Sequence, residues 1–341
     1  MIKKKRNIVG LSCGVGVSLY PFLSDSQVIA NVETRADFYL QGSPEQFRLN
    51  FPGGVMWSDP QGYKGLLNRT DIVMSQPKCG NSSVLAYSRG KKMTSHKGDP
   101  SLDLAMEGIK YLDPKVFLLE NLPALLNTYS EKDLRQFFHH HRLHFHHVSV
   151  SEFGNSQKTR KRLVIVGVHR HLKRSGTIFK ELGEVYPVKS LLHTGDLIYG
   201  TPENGHFRPS FDERIALYGG RQASYREIME LWEELPGKKR IATPDENFNT
   251  APGVYRDLAD DYPATIRKSN RCFGPHGLTY TPRERARIQG IPDTFWIADP
   301  ITHPKISPKT LFNKGCAAMA NTPPLEVAEW FRNALIKTQF L

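Results

Sequence analysis

Cys79 stands just after a short apolar run, and a thiol in such a place could act as a nucleophile. Residues 71–75 read DIVMS, as a buried strand would, and Pro77 breaks that pattern two residues before the cysteine. A thiolate attacks electron-poor carbon readily when its pKa is lowered. A free cysteine is also a small hydrophobe that packs in cores, so Cys79 taken alone leaves both interpretations open.

A carboxylate follows a second apolar run. Glu120 and Asn121 come directly after VFLL, residues 116–119. The carboxyl ends of parallel strands form the ligand crevice of a sheet, and loss of water there raises the pKa of a carboxyl group enough to make it a proton donor. The alternative is that Glu120 only caps the next helix.

Three polar side chains precede a third apolar run. Gln157, Arg160 and Arg162 come just before LVIVGV, residues 163–168. Because side chains alternate along a strand, the two arginines are predicted to share one face. They could clamp a phosphate or brace a carboxylate. A solvated basic turn is the alternative.

A glycine loop near the amino end of the sequence is typical of a nucleoside site. Gly10, Gly14 and Gly16 lie between a predicted strand, residues 8–11, and a predicted helix. Glycines let the backbone and a helix N-terminus approach a ligand closely. Glu33 ends the next strand, where a doubly wound fold places an acid on ribose hydroxyls. A plain glycine turn beside a solvated glutamate is the alternative.

A helix start is well marked near the carboxyl end of the sequence. Thr281 is the predicted N-cap, Pro282 the first helical residue and Glu284 the partner of a capping box. The helix carries Arg283 among several arginines, so it could bind a phosphate, or it could be purely structural.

The histidine-rich segment at residues 137–147 is not expected to bind metal. It reads FFHHHRLHFHH, with six histidines but no cysteine or acid at the spacing of a zinc site. A partly exposed turn between a helix and a strand is the favoured interpretation. The thiols of Cys13, Cys272 and Cys316 are expected to be packing residues.

The composition favours a polyanionic partner. Lys and Arg outnumber Asp and Glu by 46 to 34, a formal charge of +12, which suits nucleic acid better than a neutral metabolite. No run of about 18 apolar residues could span a bilayer. The four cysteines form no CxxC pair, as expected for a reducing cytosol. The segment MIKKKR before an apolar stretch could be a signal peptide, but no clean cleavage site follows it.

Apolar runs that alternate with helical stretches predict an α/β fold, a doubly wound and mostly parallel sheet. The predicted strands include QVIANV, TDIVMS, KVFLLE, HHVSVSEF and RLVIVGV. Between residues 169 and 261 the pattern loosens into Pro, Gly and charge, with one capped helix predicted from Ser224. We therefore expect a main domain at 1–168, a smaller module at 169–261, and a return to the main domain at 262–341.

Taken together and in order, these motifs resemble the cytosine-5 DNA methyltransferases. The resemblance spans most of residues 8–330 outside the module. Its pieces are LSCGVGV, QPKCGNSS, ENLPAL, QKTRKR, YPATIRKSN with HGLTYTPRERARIQGIPDTF, and MANTPP. The sequence departs from the family pattern at Lys78 and Gly80, where Pro and Gln are usual, and at Thr34, where a large apolar residue is common. These departures suggest a divergent, phage-borne branch.

The resemblance implies a fold, a reaction and residue roles. Cys79 would add to C6 of a cytosine, Glu120 would neutralise charge at N3, and Arg160 and Arg162 would hold them in place. The remaining implied residues bind the cofactor S-adenosylmethionine (Ser12, Cys13, Gly14, Gly16, Glu33, Asp59 and Asn321) or the substrate (Asn121, Gln157 and Arg283).

The implied partner is double-stranded DNA, whose target base would be flipped out of the helix. We expect a cytoplasmic monomer that contacts no membrane and holds no metal, in a restriction-modification setting. Four alternatives stay open: a cytosine-5 enzyme that acts on tRNA, one that uses a modified cosubstrate, a catalytically silent DNA-binding relative, and a nicotinamide-dependent oxidoreductase.

Overall fold

Seven strands of the described chain form one mixed sheet in the order β3-β2-β1-β4-β5-β7-β6. The structure is a computed structural model, and it describes residues 5–34, 44–77, 99–185, 191–199, 240–241, 254–263, 265–266, 272–275, 280–297 and 306–341. The strands are Arg6–Leu11 (β1), Ser26–Val32 (β2), Val55–Trp57 (β3), Ile72–Ser75 (β4), Val116–Asn121 (β5), His141–Ser149 (β6) and Lys161–His169 (β7).

Strands β1 to β5 pair in parallel, whereas β7 is antiparallel to both β5 and β6. The predicted doubly wound, mostly parallel sheet is therefore confirmed. The chain turns from one side of β1 to the other between β2 and β4, so the carboxyl ends of β1 and β4 flank the point where the strand order reverses. Such a point is where open α/β sheets bind ligands.

Helices cover both faces of the sheet. Those in the described residues are Pro44–Asn50 (α1), Pro100–Leu112 (α2), Glu131–Phe137 (α3), Ser175–Glu181 (α4), Thr194–Tyr199 (α5), Pro282–Ile288 (α6), Pro308–Asn321 (α7) and Leu325–Lys337 (α8). Short 3₁₀ helices lie at Val17–Ser24, Gly62–Leu66, Pro123–Asn127 and Val150–Phe153.

The apolar runs become central strands because both of their faces are covered. Every residue of β4 and of β5 is buried. Val9 and Leu11 pack with α2 in one hydrophobic cluster, while their neighbour Ile8 packs with α8 in the other. Alternation along a strand thus supplies two cores, one on each side of the sheet.

Strand β6 begins earlier than the sequence predicts. The strand starts at His141 and ends at Ser149. The last residues of the predicted strand HHVSVSEF instead form a 3₁₀ helix, which begins with a capping box at Ser149. Three strand histidines are at least half-buried and bonded to main-chain carbonyls, so they sit in a sheet although their polarity suggests a turn.

A second, three-stranded sheet has the order β10-β9-β8, with strands Arg240–Ile241 (β8), Val254–Arg256 (β9) and Cys272–Phe273 (β10). Its strand β10 comes after the predicted boundary at residue 261. Helix α4, which follows the predicted boundary at residue 169, packs on the main sheet through Ile178. The predicted division of the chain at residues 169 and 261 stays a prediction. The helix predicted from Ser224 lies outside the described residues.

Among the helices that the structure describes, none combines the length and the apolar character that crossing a membrane requires.

Candidate active site

Glu120 and Arg162 form an ion pair at the carboxyl end of β5. The Nε atom of Arg162 lies 2.5 Å from Oε1 of Glu120. The pair arises because β7 runs antiparallel to β5, with Leu163 opposite Asn121, so the start of β7 lies beside the end of β5. The predicted brace between an arginine and the strand-end carboxylate is present in the structure.

Burial dominates the protonation of Glu120. The residue is only 6% exposed, and loss of water raises the pKa of its carboxyl group above the ordinary value, while the charges of Arg162 and Arg160 oppose that shift. Oε1 receives no aligned hydrogen bond from the described residues, so its contact with Arg162 is described as an ion pair. Glu120 is therefore suited to share a proton with a ligand.

Asn121 connects this pair to the strand end that leads to Cys79. Its Nδ2 atom donates to the carbonyl oxygen of Pro77 at 3.2 Å, and its Oδ1 atom accepts from the main-chain N–H of Leu122 at 2.7 Å. Asn121 is buried and holds the last described residue before the candidate nucleophile. Cys79 itself, with Lys78 and Gly80, lies outside the described residues.

The glycine loop follows β1 at the same edge of the sheet. Ser12, Gly14 and Gly16 have positive φ angles of 57°, 58° and 85°. A Cβ atom on Gly16 would lie 2.6 Å from a ring carbon of Phe51, so the loop can approach this ring only with glycine there.

Glu33 is joined to this loop directly. Its Oε1 atom accepts the N–H of Gly14 at 2.6 Å and the Nδ2 of Asn31 at 3.2 Å. Asn31 in turn donates to the carbonyl oxygen of Gly14 at 2.9 Å. The two side chains fix the loop against the end of β2, which is where the sequence predicts a ribose-binding acid.

The other two loop residues predicted to bind a cofactor contact the protein interior. The Ser12 hydroxyl donates to the carbonyl oxygen of Ser101 at 3.1 Å, and the Cys13 thiol donates to that of Met74 at 3.0 Å. Burial raises the pKa of Cys13 to about 12, and that of Cys316 to about 11. Neither thiol is a nucleophile at neutral pH.

Arg160 belongs to a buried network and not to the ion pair. Its guanidinium donates to Oε1 of Gln289 at 2.8 Å, to the carbonyl oxygen of Thr322 at 2.8 Å and to Oε1 of Gln157 at 3.3 Å. Arg160 lies one residue before β7, and the prediction that it shares a strand face with Arg162 stays a prediction. Its charge still lowers the pKa of Glu120.

Gln157 was expected to contact substrate, but it is fully buried. Its Nε2 atom donates to Gln289 at 2.9 Å, and its Oε1 atom accepts the main-chain N–H of Ile266 at 2.9 Å. Gln157 therefore positions other segments of the chain. The sequence pattern does not indicate that Gln289 is the partner of Gln157, although Gln289 lies within the motif RIQGIP.

Arg283, which the resemblance implies contacts the substrate, bonds to the turn that follows its own helix. It follows Pro282 in α6, behind the predicted Thr281 cap, which the structure confirms. Its guanidinium donates to the carbonyl oxygens of Pro292 at 3.1 Å and Phe295 at 2.7 Å. These contacts hold the turn after α6.

The remaining predicted cofactor residues occupy two exposed positions. Asp59 follows β3, next to the strand that carries Glu33, and its Oδ1 atom accepts the N–H of Gln61 at 2.9 Å. Asn321 is the last residue of α7. Asp71 precedes β4 at the opposite end of the strands and pairs with Lys115.

Comparison with known proteins gives a consistent result. The sequence matches the family model described as C-5 cytosine-specific DNA methylase over residues 45–305. No curated protein sequence matches it.

Three solved structures are similar in fold. One, from an E. coli prophage, is described as a DNA modification methyltransferase; its TM-score is 0.64 at 19% identity, covering 99% of this chain and 100% of that chain. The S. pombe Dnmt2 methyltransferase has a TM-score of 0.61 at 11% identity, and the Entamoeba histolytica methyltransferase EhMeth 0.60 at 12%, each covering 99% of both chains. At these identities the likeness shows the fold alone.

Proposed function

The chain belongs to the C-5 cytosine-specific DNA methylase family, and from that premise we propose that it methylates C5 of cytosine in double-stranded DNA through a covalent Cys79 adduct. The observation that carries the proposal is the buried pair of Glu120 and Arg162, which Asn121 joins to Pro77, two residues before the cysteine.

The chemistry requires these residue types together. C5 of cytosine is a poor nucleophile until a thiolate adds to C6. The Cys79 sulfur would form a bond to C6, and the electron pair displaced from the ring double bond would move toward C5 and N3. Glu120 would share its proton with N3 and so neutralise the charge arriving there. After the methyl group has been transferred to C5, a water molecule acting as base would take the C5 proton, the C5–C6 double bond would re-form, and the sulfur–carbon bond would break to return the thiolate.

Arg162 would act through Glu120. A buried carboxyl group with a raised pKa is protonated over a wider pH range, and the adjacent guanidinium keeps that shift from becoming so large that the proton is no longer shared. The N–H of Arg162 is not aligned on Oε1, so this oxygen retains capacity for a ligand.

The chain's own residues fit S-adenosylmethionine. When bound, this cofactor supplies an electrophilic methyl group. Glu33 offers a carboxylate at the strand end where ribose hydroxyls need a charged acceptor, and the left-handed turn at Gly14 and Gly16 brings main-chain atoms close to that carboxylate. A cosubstrate with a larger transferable group would need the same acid.

The target base must leave the stacked helix to reach Cys79. Flipping costs a few kcal/mol, which phosphate contacts of a protein with a formal charge of +12 can offset. We further propose that the module at residues 169–261 reads the DNA sequence, and that the enzyme acts as a monomer.

The experiment that tests this proposal is covalent trapping. Duplex DNA with 5-fluorocytosine at the target should become attached to the wild-type protein once S-adenosylmethionine is added, because fluorine cannot leave as the C5 proton does. Peptide mapping should place the adduct on Cys79. The Cys79→Ser variant should neither trap nor methylate, since a hydroxyl is hardly ionised at neutral pH.

A matched control is Cys316→Ala, which removes a buried thiol far along the chain and should still trap. Parallel assays with tRNA should show no methyl incorporation. Methylation of DNA by Cys79→Ser at the wild-type rate would end the proposed mechanism, and incorporation into tRNA in place of DNA would change the substrate.

A further inference from the structure

Three turns at the edge opposite Glu120 bring one aspartate and two histidines together. Asp113 lies between α2 and β5, His140 precedes β6, and His169 ends β7. Oδ2 of Asp113 lies 3.1 Å from Nδ1 of His140 and 3.2 Å from Nε2 of His169. All three candidate ligand atoms lie within 4.8 Å of one another. The acid that the histidine-rich sequence lacks is thus supplied by a distant turn, and the expectation that it had no acid partner is wrong.

We propose that Asp113, His140 and His169 bind one divalent transition-metal ion, with zinc as the representative. Two imidazoles and one carboxylate are a common ligand set for such ions. In a tetrahedral site with bonds of about 2.0 to 2.1 Å, neighbouring ligand atoms are roughly 3.3 Å apart. The two separations at Asp113 are close to this value, so small side-chain rotations are enough to surround an ion.

The buried ring of His141 lies beside the Asp113 carboxylate. The ring places Nε2 2.7 Å from the carbonyl oxygen of Pro114, which can only accept, so Nε2 carries a proton. Its Nδ1 atom lies 3.9 Å from Oδ1 of Asp113, the oxygen that does not face the other two histidines.

The backbone of Asp113 has an unusual conformation. Its φ and ψ angles are 43° and 54°, in the left-handed region that non-glycine residues seldom occupy, and its N–H donates to the carbonyl oxygen of Ile109. A left-handed residue commonly ends a helix, and Asp113 ends α2 in this way. The turn that follows α2 places Asp113 beside His140 and His169.

One contact must change when the ion binds. The main-chain N–H of His171 donates to Nδ1 of His169 at 3.3 Å, which leaves the proton of the neutral ring on Nε2. Coordination through Nε2 moves that proton to Nδ1 and gives up this long hydrogen bond. Asp113 remains the anionic ligand, and His140 coordinates through Nδ1 with its own proton on Nε2.

The site is separate from the candidate active site. Residues 113 to 120 span β5 from end to end, which puts the two sites about 20 Å apart at roughly 3.3 Å a residue. An ion there would tie three turns together, those before β5, before β6 and after β7. Its expected effect is on the stability of the sheet and not on methyl transfer.

The test uses full-length protein dialysed against a chelator and then titrated with zinc chloride. We expect one ion per chain by calorimetry and a higher unfolding temperature on binding, because an ion that binds only the folded state stabilises it. Cobalt chloride should give the visible absorption bands of a tetrahedral or five-coordinate site.

Two variants and one control identify the ligands. Asp113→Asn keeps a side chain that tolerates the left-handed backbone, so it should fold yet bind zinc at least about tenfold more weakly. His140→Ala should do the same. The control His147→Ala removes an exposed histidine from the same strand, 4.0 Å from Glu131, and should bind as the wild type does. Absence of zinc binding by the wild type, or wild-type affinity in both Asp113→Asn and His140→Ala, would overturn the proposal.

Discussion

Arg162 and Glu120 come from antiparallel neighbouring strands, and their side chains meet at 2.5 Å where both are largely shielded from water. Neither partner could occupy this place alone at low cost, because a buried charge without a partner is strongly unfavourable. The antiparallel pairing of β5 and β7 therefore places Glu120 beside Arg162, whose charge affects the protonation of the Glu120 carboxyl group. This arrangement leads to the first prediction.

Glu120→Gln should slow turnover by roughly 10² to 10⁴, the range expected for the loss of one general acid. The amide keeps the size of the side chain but has no proton to share with N3. Single-turnover methylation of duplex DNA measures the effect. Glu107→Gln, on the exposed face of α2, is the matched control and should leave the rate unchanged. A Glu120→Gln enzyme with a wild-type rate would assign the proton to another group.

Asn121→Asp should lower turnover by roughly 10²-fold, since the change removes the donor to the Pro77 carbonyl and sets a carboxylate against it. The strand end that leads to Cys79 would then be displaced. The rate of trapping on 5-fluorocytosine DNA reports this directly. Asn127→Asp, an exposed residue of the following 3₁₀ helix, serves as control. Equal trapping by both variants would show that Asn121 does not position the cysteine.

Gly16→Ala and Gly53→Ala form a matched pair, because both glycines have φ near +85° but only one is crowded. Each substitution carries about 1 to 2 kcal/mol of backbone strain. A Cβ on Gly16 also meets Phe51 and Phe47 at 2.6 and 2.9 Å, whereas a Cβ on Gly53 meets nothing within 4 Å. We expect Gly16→Ala to lose a further 1 to 3 kcal/mol of stability, with weaker S-adenosylmethionine binding.

Thermal unfolding and calorimetry of the two variants separate these effects. If both lose the same stability and retain equal cofactor affinity, the close approach of the loop to the two phenylalanine rings has no energetic importance.

Stability should fall as the pH drops below about 6.5, in part because of His144 and His146. Burial lowers the pKa of both rings, whose Nε2 atoms contact the carbonyl oxygens of Phe179 and Leu182. The unfolded chain then binds protons at a higher pH than the folded one does. The stabilisation is complete above the ordinary histidine pKa and is lost as the pH falls toward the lowered values.

The double variant His144→Gln/His146→Gln should therefore show a flatter dependence of unfolding free energy on pH between 7 and 5. Glutamine can still donate to the two carbonyl oxygens but does not titrate. His147→Gln, on an exposed side chain, should follow the wild-type curve. Parallel curves for the wild type and the double variant would contradict this explanation.

The sequence is sufficient to predict those features that depend on local pattern. The apolar runs of β4 and β5 predict strands buried on both faces, and the residues at their ends, Glu120 among them, fall at one edge because parallel strands end together. The Thr281 capping box follows from four consecutive residues. In each case the physical cause lies within one turn or one strand.

Contacts between distant residues are not predictable in this way. Arg160 and Gln289 are 129 positions apart, and nothing in the sequence around either residue indicates that the two are in contact. Asp113 is 27 positions from His140 and 56 from His169, so a search for zinc spacing fails although the side chains meet. Strand β3, with three residues at the edge of the sheet, is too short for its alternation to be recognised.

The network around Arg160 also affects the order of events while the chain is being synthesised. Its acceptor at Thr322 is 162 residues later in the sequence. At about 5 to 20 residues per second, a ribosome needs roughly 10 to 30 s to make that segment. During this interval a growing chain already holds strands β1 to β7, but it lacks the two later hydrogen-bond acceptors of the Arg160 guanidinium, at Gln289 and Thr322. The Arg160 network would thus be completed only after Thr322 has been made, so a chain terminated before Gln289 should carry a formed sheet without this network.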